Sequence, residues 1–504
     1  MRPSILPAVL AAAVTLAAPN ATAQRPDLTA FDRYVSQAVK AWEIPGLAIA
    51  VVSGDSVLFV KGYGVRTLGR PEPVDIHTRF AIGSTTKAMT SLALLMAADS
   101  SELSLEDPVQ RHLPSLQLYD PVMTRELTVG DLLTHHTGLP GADQLWGGND
   151  YPPAEIIRRM RWLKPTASFR NQYAYHNVQY LMAGEVLRAA TGTSWEDFVR
   201  ARIFAPLGMQ ETLPTVASTA GQPNVATPHN VIDGTLRVIE NRTTDPVSPA
   251  GSVWSSVADM SKWMRFVLDS GRVGGRRLVS APRYAEWLAP QVVIPVDAFY
   301  PTTRLAGINR VMYSLGWFLH DYAGDEVAMH TGSIDGMSAI IGLIPSRRLG
   351  VYILANRDHA ELRHALMYRV FDMVAGRPSR DWSREVQSLF AGLDEQARQA
   401  QAAFVKARVP GTRPSLPLER YAGSYADSLN GTVQVTVRNG ALRAVWGKGF
   451  VGPLEHWHYD TFVARWDDRR NGSAALTFVL DETGNVAELR VGGATFGRVP
   501  GTSR

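Results

Sequence analysis

Between residues 28 and 41 apolar side chains recur at helical spacing, with Phe31, Tyr34, Val35, Ala38 and Val39 on one side, which predicts an amphipathic helix. Residues 46–52 are then continuously apolar, Ser53-Gly54-Asp55 carries turn chemistry, and 57–60 is apolar again. That pattern predicts a β-hairpin. The run 88–98 is apolar on all sides and predicts a buried helix. Thr128 with Asp131, and Ser194 with Asp197, have the spacing of helix-capping pairs, and 177–190 and 256–268 keep helical periodicity. From Tyr313 the pattern changes to short apolar runs, 313–320, 326–330, 338–344 and 350–355, followed by a helical stretch at 360–374. The early hairpin and the late strands are expected to build one antiparallel sheet, with the intervening helices packed on it.

The chain beyond has a different texture. Residues 381–415 read as a linker with a helical segment at 394–406, closed by Pro410 to Pro414. Residues 416–504 are strand-rich, with runs at 433–437, 441–446, 474–480 and 486–491, and Asn439-Gly440 between the first two marks a hairpin. No repeat of solenoid period is present. Trp446, Trp457 and Trp466 in this part are read as buried anchors, with a surface for carbohydrate or cell-wall targeting as the alternative.

At the amino terminus, Arg2, an apolar stretch over 5–18 and Ala21-Thr22-Ala23 form the pattern of a cleavable export signal, so residues 1–23 are expected to be removed. The mature protein is then periplasmic or secreted. No later run of ~18 residues is free of charges and turn residues, so no membrane insertion is expected after signal removal. The chain has 504 residues, 45% hydrophobic and 19% charged, which favours folded domains over a disordered polyelectrolyte. The net charge of +4 is spread along the chain, and no basic-aromatic ladder points to nucleic acid. Without cysteine there are no disulfides, thiolate metal sites or thiol nucleophile.

Against this background Ser84-Thr85-Thr86-Lys87, just ahead of the buried helix, is the strongest chemical signal. A serine and a lysine three residues apart at a helix start share one face. A lysine whose charge is removed by burial can take the serine's proton, and the helix N-terminus favours negative charge there. Alone, the same pair also arises as a serine cap with a solvated lysine. It is accompanied, in order, by a stretch from Thr128 to Leu139, by Tyr175-His176-Asn177, by a stretch from Pro249 to Asp259 and by His330-Thr331-Gly332-Ser333 on an expected strand. His135 and His136 are adjacent and lack a partner at metal-ligand spacing, so a metal site is not expected. No Gly-x-Ser-x-Gly elbow and no His-Glu-x-x-His sequence occurs.

This ordered series resembles the serine β-lactamase and penicillin-binding-protein superfamily. It is most similar to the class C β-lactamase-like branch, with its D-stereospecific peptidases and esterases. The resemblance covers residues 30–375; the segment opening Leu418-Glu419-Arg420-Tyr421 resembles, more loosely, the small lipocalin-like domain appended to many of these hydrolases. It implies an α+β fold, an antiparallel sheet flanked by helices with an all-helical subdomain over 24–380, followed by a small antiparallel β-barrel-like domain. It also implies roles. Ser84 would be the acylated nucleophile, Lys87 its activator, and Tyr175 a second base and leaving-group acid with a lowered pKa. Asn177 would hold a substrate amide together with the lysine, or cap the following helix. The backbone N–H groups of Ser84 and Ser333 would form the oxyanion hole, with His330, Thr331 and Gly332 on the substrate-binding strand. Histidine at 330, where other branches carry lysine, is only partly charged at neutral pH and points away from an efficient β-lactamase.

The expected function is therefore an exported serine hydrolase working through an acyl-enzyme without metal or organic cofactor. Its expected substrates are small molecules or short peptides. Peptides or amides containing D-amino acids come first (D-aminopeptidase or DD-carboxypeptidase-like), and short-chain esters or weak β-lactam hydrolysis second. A penicillin-binding sensor that acylates without turnover is the alternative of another class. The loops 141–152 and 291–310 are candidates for lining the cleft, and the oligomeric state is left open.

Overall fold

Eight strands form the central antiparallel sheet of the computed structural model, which describes residues 26–149 and 151–501. The expected export signal, residues 1–23, lies outside the described residues. In chain order the strands are β1 (Gly46–Ser53), β2 (Ser56–Gly64), β3 (Val292–Ile294), β4 (Val311–Tyr313), β5 (Phe318–Tyr322), β6 (Asp325–Ile334), β7 (Met337–Ile344) and β8 (Leu349–Ala355). They lie side by side as β2-β1-β8-β7-β6-β5-β4-β3, so segments early and late in residues 26–380 supply the same sheet. Strands β1, β7 and β8 are almost wholly buried, which explains their continuous apolar runs: the sheet is covered on both faces.

The period-two alternation of β1 separates the two cores. Leu47, Ile49 and Val51 pack with Phe31 and Val35 of helix α1 (Leu28–Ala41). Ala48, Ala50 and Val52 face the other core, where helix α2 (Thr86–Asp99), helix α3 (Asn177–Thr191) and helix α4 (Val257–Leu268) lie. Helix α5 (Leu362–Val374) covers the α1 side, so close to β7 that a Cβ on Gly342 would meet Met367 Sδ at 2.5 Å. Each fully buried aliphatic side chain in these layers contributes ~1.5–3 kcal/mol.

The expected strand 313–320 is in fact two strands, β4 and β5, joined by a turn in which Ser314 N donates to Trp317 O. Gly316 has φ +85°, and a Cβ there would lie 2.8 Å from Ala88 N. The turn therefore presses on the first turn of α2, and only glycine fits. The capping pair at Thr128 and Asp131 closes a single 3-10 turn, Gly130–Leu133, rather than a long helix. Ser194 caps a short helix, Trp195–Val199.

The helical segment of the linker is longer than its composition indicates. Helix α6 runs from Trp382 to Lys406, capped by Asp381 and anchored by fully buried Trp382, whose Nε1 donates to Asp372 Oδ2 at 2.7 Å. Beyond it, eight strands between Gly423–Asp427 and Ala494–Arg498 close into a barrel, the first pairing with the last. Four of these, Gly423–Asp427, Phe450–His458, Thr461–Arg465 and Ala494–Arg498, lack a clear sequence signal because their buried positions alternate with exposed ones over few residues. Trp446 and Trp466 are buried in the barrel core, and Trp457 is half-buried, stacked on Phe404 of α6.

The barrel sits against the loop at 141–152. Phe450 packs so closely on Gly148 that a Cβ there would meet its ring at 2.4 Å. Gln144 donates to Asn430 Oδ1, Arg159 donates to the carbonyls of Ser428 and Leu429, and Arg242 donates to Asn471 Oδ1.

Candidate active site

Ser84 stands in a 3-10 turn, Gly83–Thr85, that runs directly into α2, and Lys87 is the second residue of that helix. The turn depends on Gly83, with φ +53°. A Cβ on Gly83 would come 2.7 Å from Ser333 N, and one on Gly332 would come 1.9 Å from Ile82 O. Backbone therefore touches backbone, and the segments carrying the Ser84 and Ser333 amides lie side by side.

Lys87 has no exposed surface. Its Nζ donates to Ser84 Oγ at 3.0 Å, to Asn177 Oδ1 at 2.7 Å and to Ala250 O at 2.8 Å, and lies over the rings of Tyr175 and Tyr180. All three acceptors are neutral. Burial pulls its pKa down to about 7, opposed in part by the carboxylate of Asp143. At neutral pH a large fraction of this amine is uncharged; it then keeps its two N–H bonds for Asn177 Oδ1 and Ala250 O and turns its lone pair to the Ser84 hydroxyl, whose proton it can accept.

Tyr175 lines the same cavity as Ser84, and its ring lies 4.8 Å from Lys87 Nζ. The expectation of a lowered phenol pKa is not met: burial pushes it well above the ordinary value, Ser84 offsetting this only in part. Tyr175 is thus a neutral phenol. Asn177 is the first residue of α3 and not its cap; His176 caps the helix, Nδ1 accepting from Val178 N at 3.2 Å. That leaves both ends of the Asn177 amide for the site. Its Oδ1 faces Lys87, and its Nδ2 donates to Asp143 Oδ1 at 3.0 Å and Oδ2 at 3.2 Å.

His330, Thr331, Gly332 and Ser333 lie on β6. The expectation that His330 is partly charged gives way to a different picture. The ring is fully buried, and burial together with nearby Lys87 pulls its pKa down to about 3. Thr331 O can only accept, so Nδ1 carries the hydrogen (2.6 Å), and Nε2 accepts from the Tyr313 hydroxyl at 3.1 Å. Both ring nitrogens are occupied within the protein. Thr331 Oγ1 meets the Tyr300 hydroxyl. Gly332 O and Ser333 Oγ both accept from Arg363 Nη1, at 2.7 and 2.8 Å.

Several contributors escape motif reading. Arg363, 3% exposed and paired with Glu361 at 3.1 Å, braces the strand end from α5; a charge inside an apolar helical run is the signal that could have marked it. His135, at φ +56°, lies 4.3 Å from the Tyr175 ring among Tyr173, Tyr180 and Tyr313, and its Nδ1 accepts from His176 N. It supports Tyr175 from beneath. Asp143, from the loop at 141–152, enters the site beside Asn177.

Ser84, Tyr175, Asn177, His330, Thr331 and Ser333 line one cavity of about 440 Å³, walled by Tyr173, Phe299, Tyr300 and Phe318. Both loops singled out in the sequence contribute, through Asp143 and Trp146 and through residues 298–301, although 292–294 form edge strand β3. A second cavity of about 460 Å³ adjoins it, sharing Asp143, Trp146 and Ser333, and the barrel closes it with Phe450, Arg470 and Asn471.

Comparison with known proteins agrees with this architecture. The Beta-lactamase family model matches residues 31–372, and that of a domain of unknown function (DUF3471) matches 407–497. An unguisins hydrolase of Aspergillus violaceofuscus is 29% identical, aligned over 78% of this chain and 74% of its own; one of Aspergillus campestris is 30% identical over 78% and 75%. An octameric penicillin-binding protein homologue from Pyrococcus abyssi superposes with TM-score 0.62 at 20% identity, covering 92% of this chain and 98% of its own. SurE does so with TM-score 0.57 at 20% identity, covering 94% and 99%, and a structure of SurE with D-Leu with 0.54 at the same identity and coverage. With Ser84 beside a buried lysine in this fold, the chain belongs to the Beta-lactamase family and is one of its serine hydrolases.

Proposed function

We propose that the chain hydrolyses amide bonds of modest-sized peptides or amides containing D-residues, through an acyl-enzyme on Ser84. The observation that carries this is the Lys87 amine, buried, surrounded by neutral acceptors and 3.0 Å from Ser84 Oγ. As Ser84 Oγ bonds to the substrate carbonyl carbon, its proton passes to Lys87 Nζ. The developing oxyanion sits against the Ser84 and Ser333 amides, each such donor contributing ~3 kcal/mol in the transition state. Tyr175, a phenol with a raised pKa, is a poor base and works as the acid for the leaving group: it gives its proton to the departing nitrogen as the C–N bond breaks, and takes in return the proton that Lys87 Nζ, lying over its ring, received from Ser84. Water then attacks the ester, its proton again taken by Lys87, and Ser84 is restored.

Tyr173, Phe299, Tyr300 and Phe318 make the cavity suitable for an apolar side chain. The two Aspergillus relatives, both named hydrolases, support a hydrolytic reaction. Buried, neutral His330 supports a peptidase or amidase over an efficient β-lactamase. Export, with residues 1–23 removed, is part of this proposal. The test is a panel of a D-Ala-D-Ala peptide, a D-amino acid amide, a chromogenic lactam and p-nitrophenyl acetate, run beside Ser84→Ala. Turnover of the D-amide that is lost in Ser84→Ala supports the proposal; a labelled serine without turnover makes the protein a sensor.

A further inference from the structure

The charges around the two joined cavities are almost all matched. Arg242 pairs with Asp335 at 3.0 Å, Arg470 with Asp468 at 2.6 Å, His359 with Asp358 at 2.8 Å and Arg363 with Glu361. Lys87 is sealed beneath Ser84. Asp143 differs. It stands at the junction, lining both cavities, and is exposed. Among the described residues its partners are neutral donors, Asn177 Nδ2 and Trp146 Nε1 (3.0 Å). It precedes a four-residue helical turn, Gln144–Gly147, without its side chain capping it. The carboxylate is therefore held in place by two neutral groups, and Lys87, the cation it stabilises, is buried beneath Ser84 and only partly charged at neutral pH.

We propose that Asp143 is a specificity-determining residue: its carboxylate receives a cationic group of the substrate, the free amine of a D-residue, and repels substrates that bring a carboxylate to the same place. This rests on the proposed hydrolase function and narrows it to amine-bearing substrates rather than carboxyl-terminated ones. A fixed charge at the mouth of a cleft with apolar walls focuses the field there, so opposite and like charges are separated. No cation on β6 counters it, because His330 is enclosed with both nitrogens occupied and Arg363 is paired.

The test is binding to full-length protein in the Ser84→Ala background, which removes turnover, by calorimetry at pH 7.0. The probes are D-leucinamide (cation), N-acetyl-D-leucinamide (neutral) and N-acetyl-D-leucine (anion). They are measured with Asp143 present and in Asp143→Asn, which keeps an acceptor for Asn177 and Trp146. The expected order of affinity is cation, neutral, anion, with at least a tenfold ratio between the ends that shrinks to within about twofold in Asp143→Asn. A ratio unchanged by Asp143→Asn, an equal loss for all three probes, a preference for the anion, or no binding of any probe overturns the proposal. Failure of the hydrolase function shows separately, as absence of Ser84-dependent turnover across the substrate panel.

Discussion

Tyr313 donates its hydroxyl hydrogen to Nε2 of His330 at 3.1 Å, which fixes the buried imidazole as the neutral Nδ1–H form on β6. The residue that invites comparison with a substrate-binding lysine is thus a structural joint between β4 and β6. Restoring lysine by His330→Lys should not create a β-lactamase. It would place a charge in a space already filled by Tyr313 and Thr331, and should destabilise the protein by ~3 kcal/mol. Denaturant unfolding with a chromogenic lactam assay checks this; an unchanged midpoint with gained lactam hydrolysis would contradict it.

The pH dependence follows from Lys87. Its amine accepts a proton only when neutral, and burial brings its pKa to about 7. Activity should therefore rise about tenfold per pH unit below that value and level off above it. His330, with a pKa near 3, is neutral across the whole range and should leave no inflection of its own. Lys87→Arg, a cation that never loses its proton, should lose at least ~10³-fold in kcat/KM. Stopped-flow acylation with p-nitrophenyl acetate between pH 5 and 9 measures both.

The close approach of Gly332 to Ile82 O leaves no room for a methyl group. Gly332→Ala should push β6 away from the Ser84 turn and separate the Ser84 and Ser333 amides, which we propose meet the oxyanion. A fall of ~10²-fold in kcat with little change in KM is expected, measured by steady-state kinetics. A fall confined to KM would place the damage in substrate binding instead.

Much of this site was legible in the chain because its chemistry is local. Ser84 and Lys87 share a helix face within four residues, and Gly332 marks a strand that backbone must approach. Less legible was anything decided by burial. Whether Tyr175 ionises, whether His330 carries charge and which residue caps α3 depend on burial by other elements, such as those carrying His135, Tyr313 and Lys87. Asp143 gave no signal because a lone aspartate in a loop resembles any solvated one. The fold followed the same division. Long apolar runs such as those of β1 and β7 were plain, whereas the short alternating strands of the barrel were not, and the amino-terminal half of α6, with Trp382, Val386, Leu389, Phe390 and Leu393, was read as linker.

Docking of the barrel depends on the absence of a side chain at Gly148. Gly148→Val should drive Phe450 out of its seat at a cost of ~1–3 kcal/mol and loosen the barrel on its connector. Limited proteolysis is expected to cut within 407–416 several times faster than in the unaltered protein. An unchanged cleavage rate would show that the polar contacts through Gln144, Arg159 and Arg242 hold the interface alone.

The most direct measurement is the titration of Lys87 itself, followed by the 13Cε resonance in protein labelled at lysine and assigned by its loss in Lys87→Arg. One lysine titrating near pH 7, with Ser84 acylation rising through the same midpoint, is the predicted result. A Lys87 resonance that stays protonated to pH 10 while Ser84 is acylated at full rate at pH 7 would contradict the account.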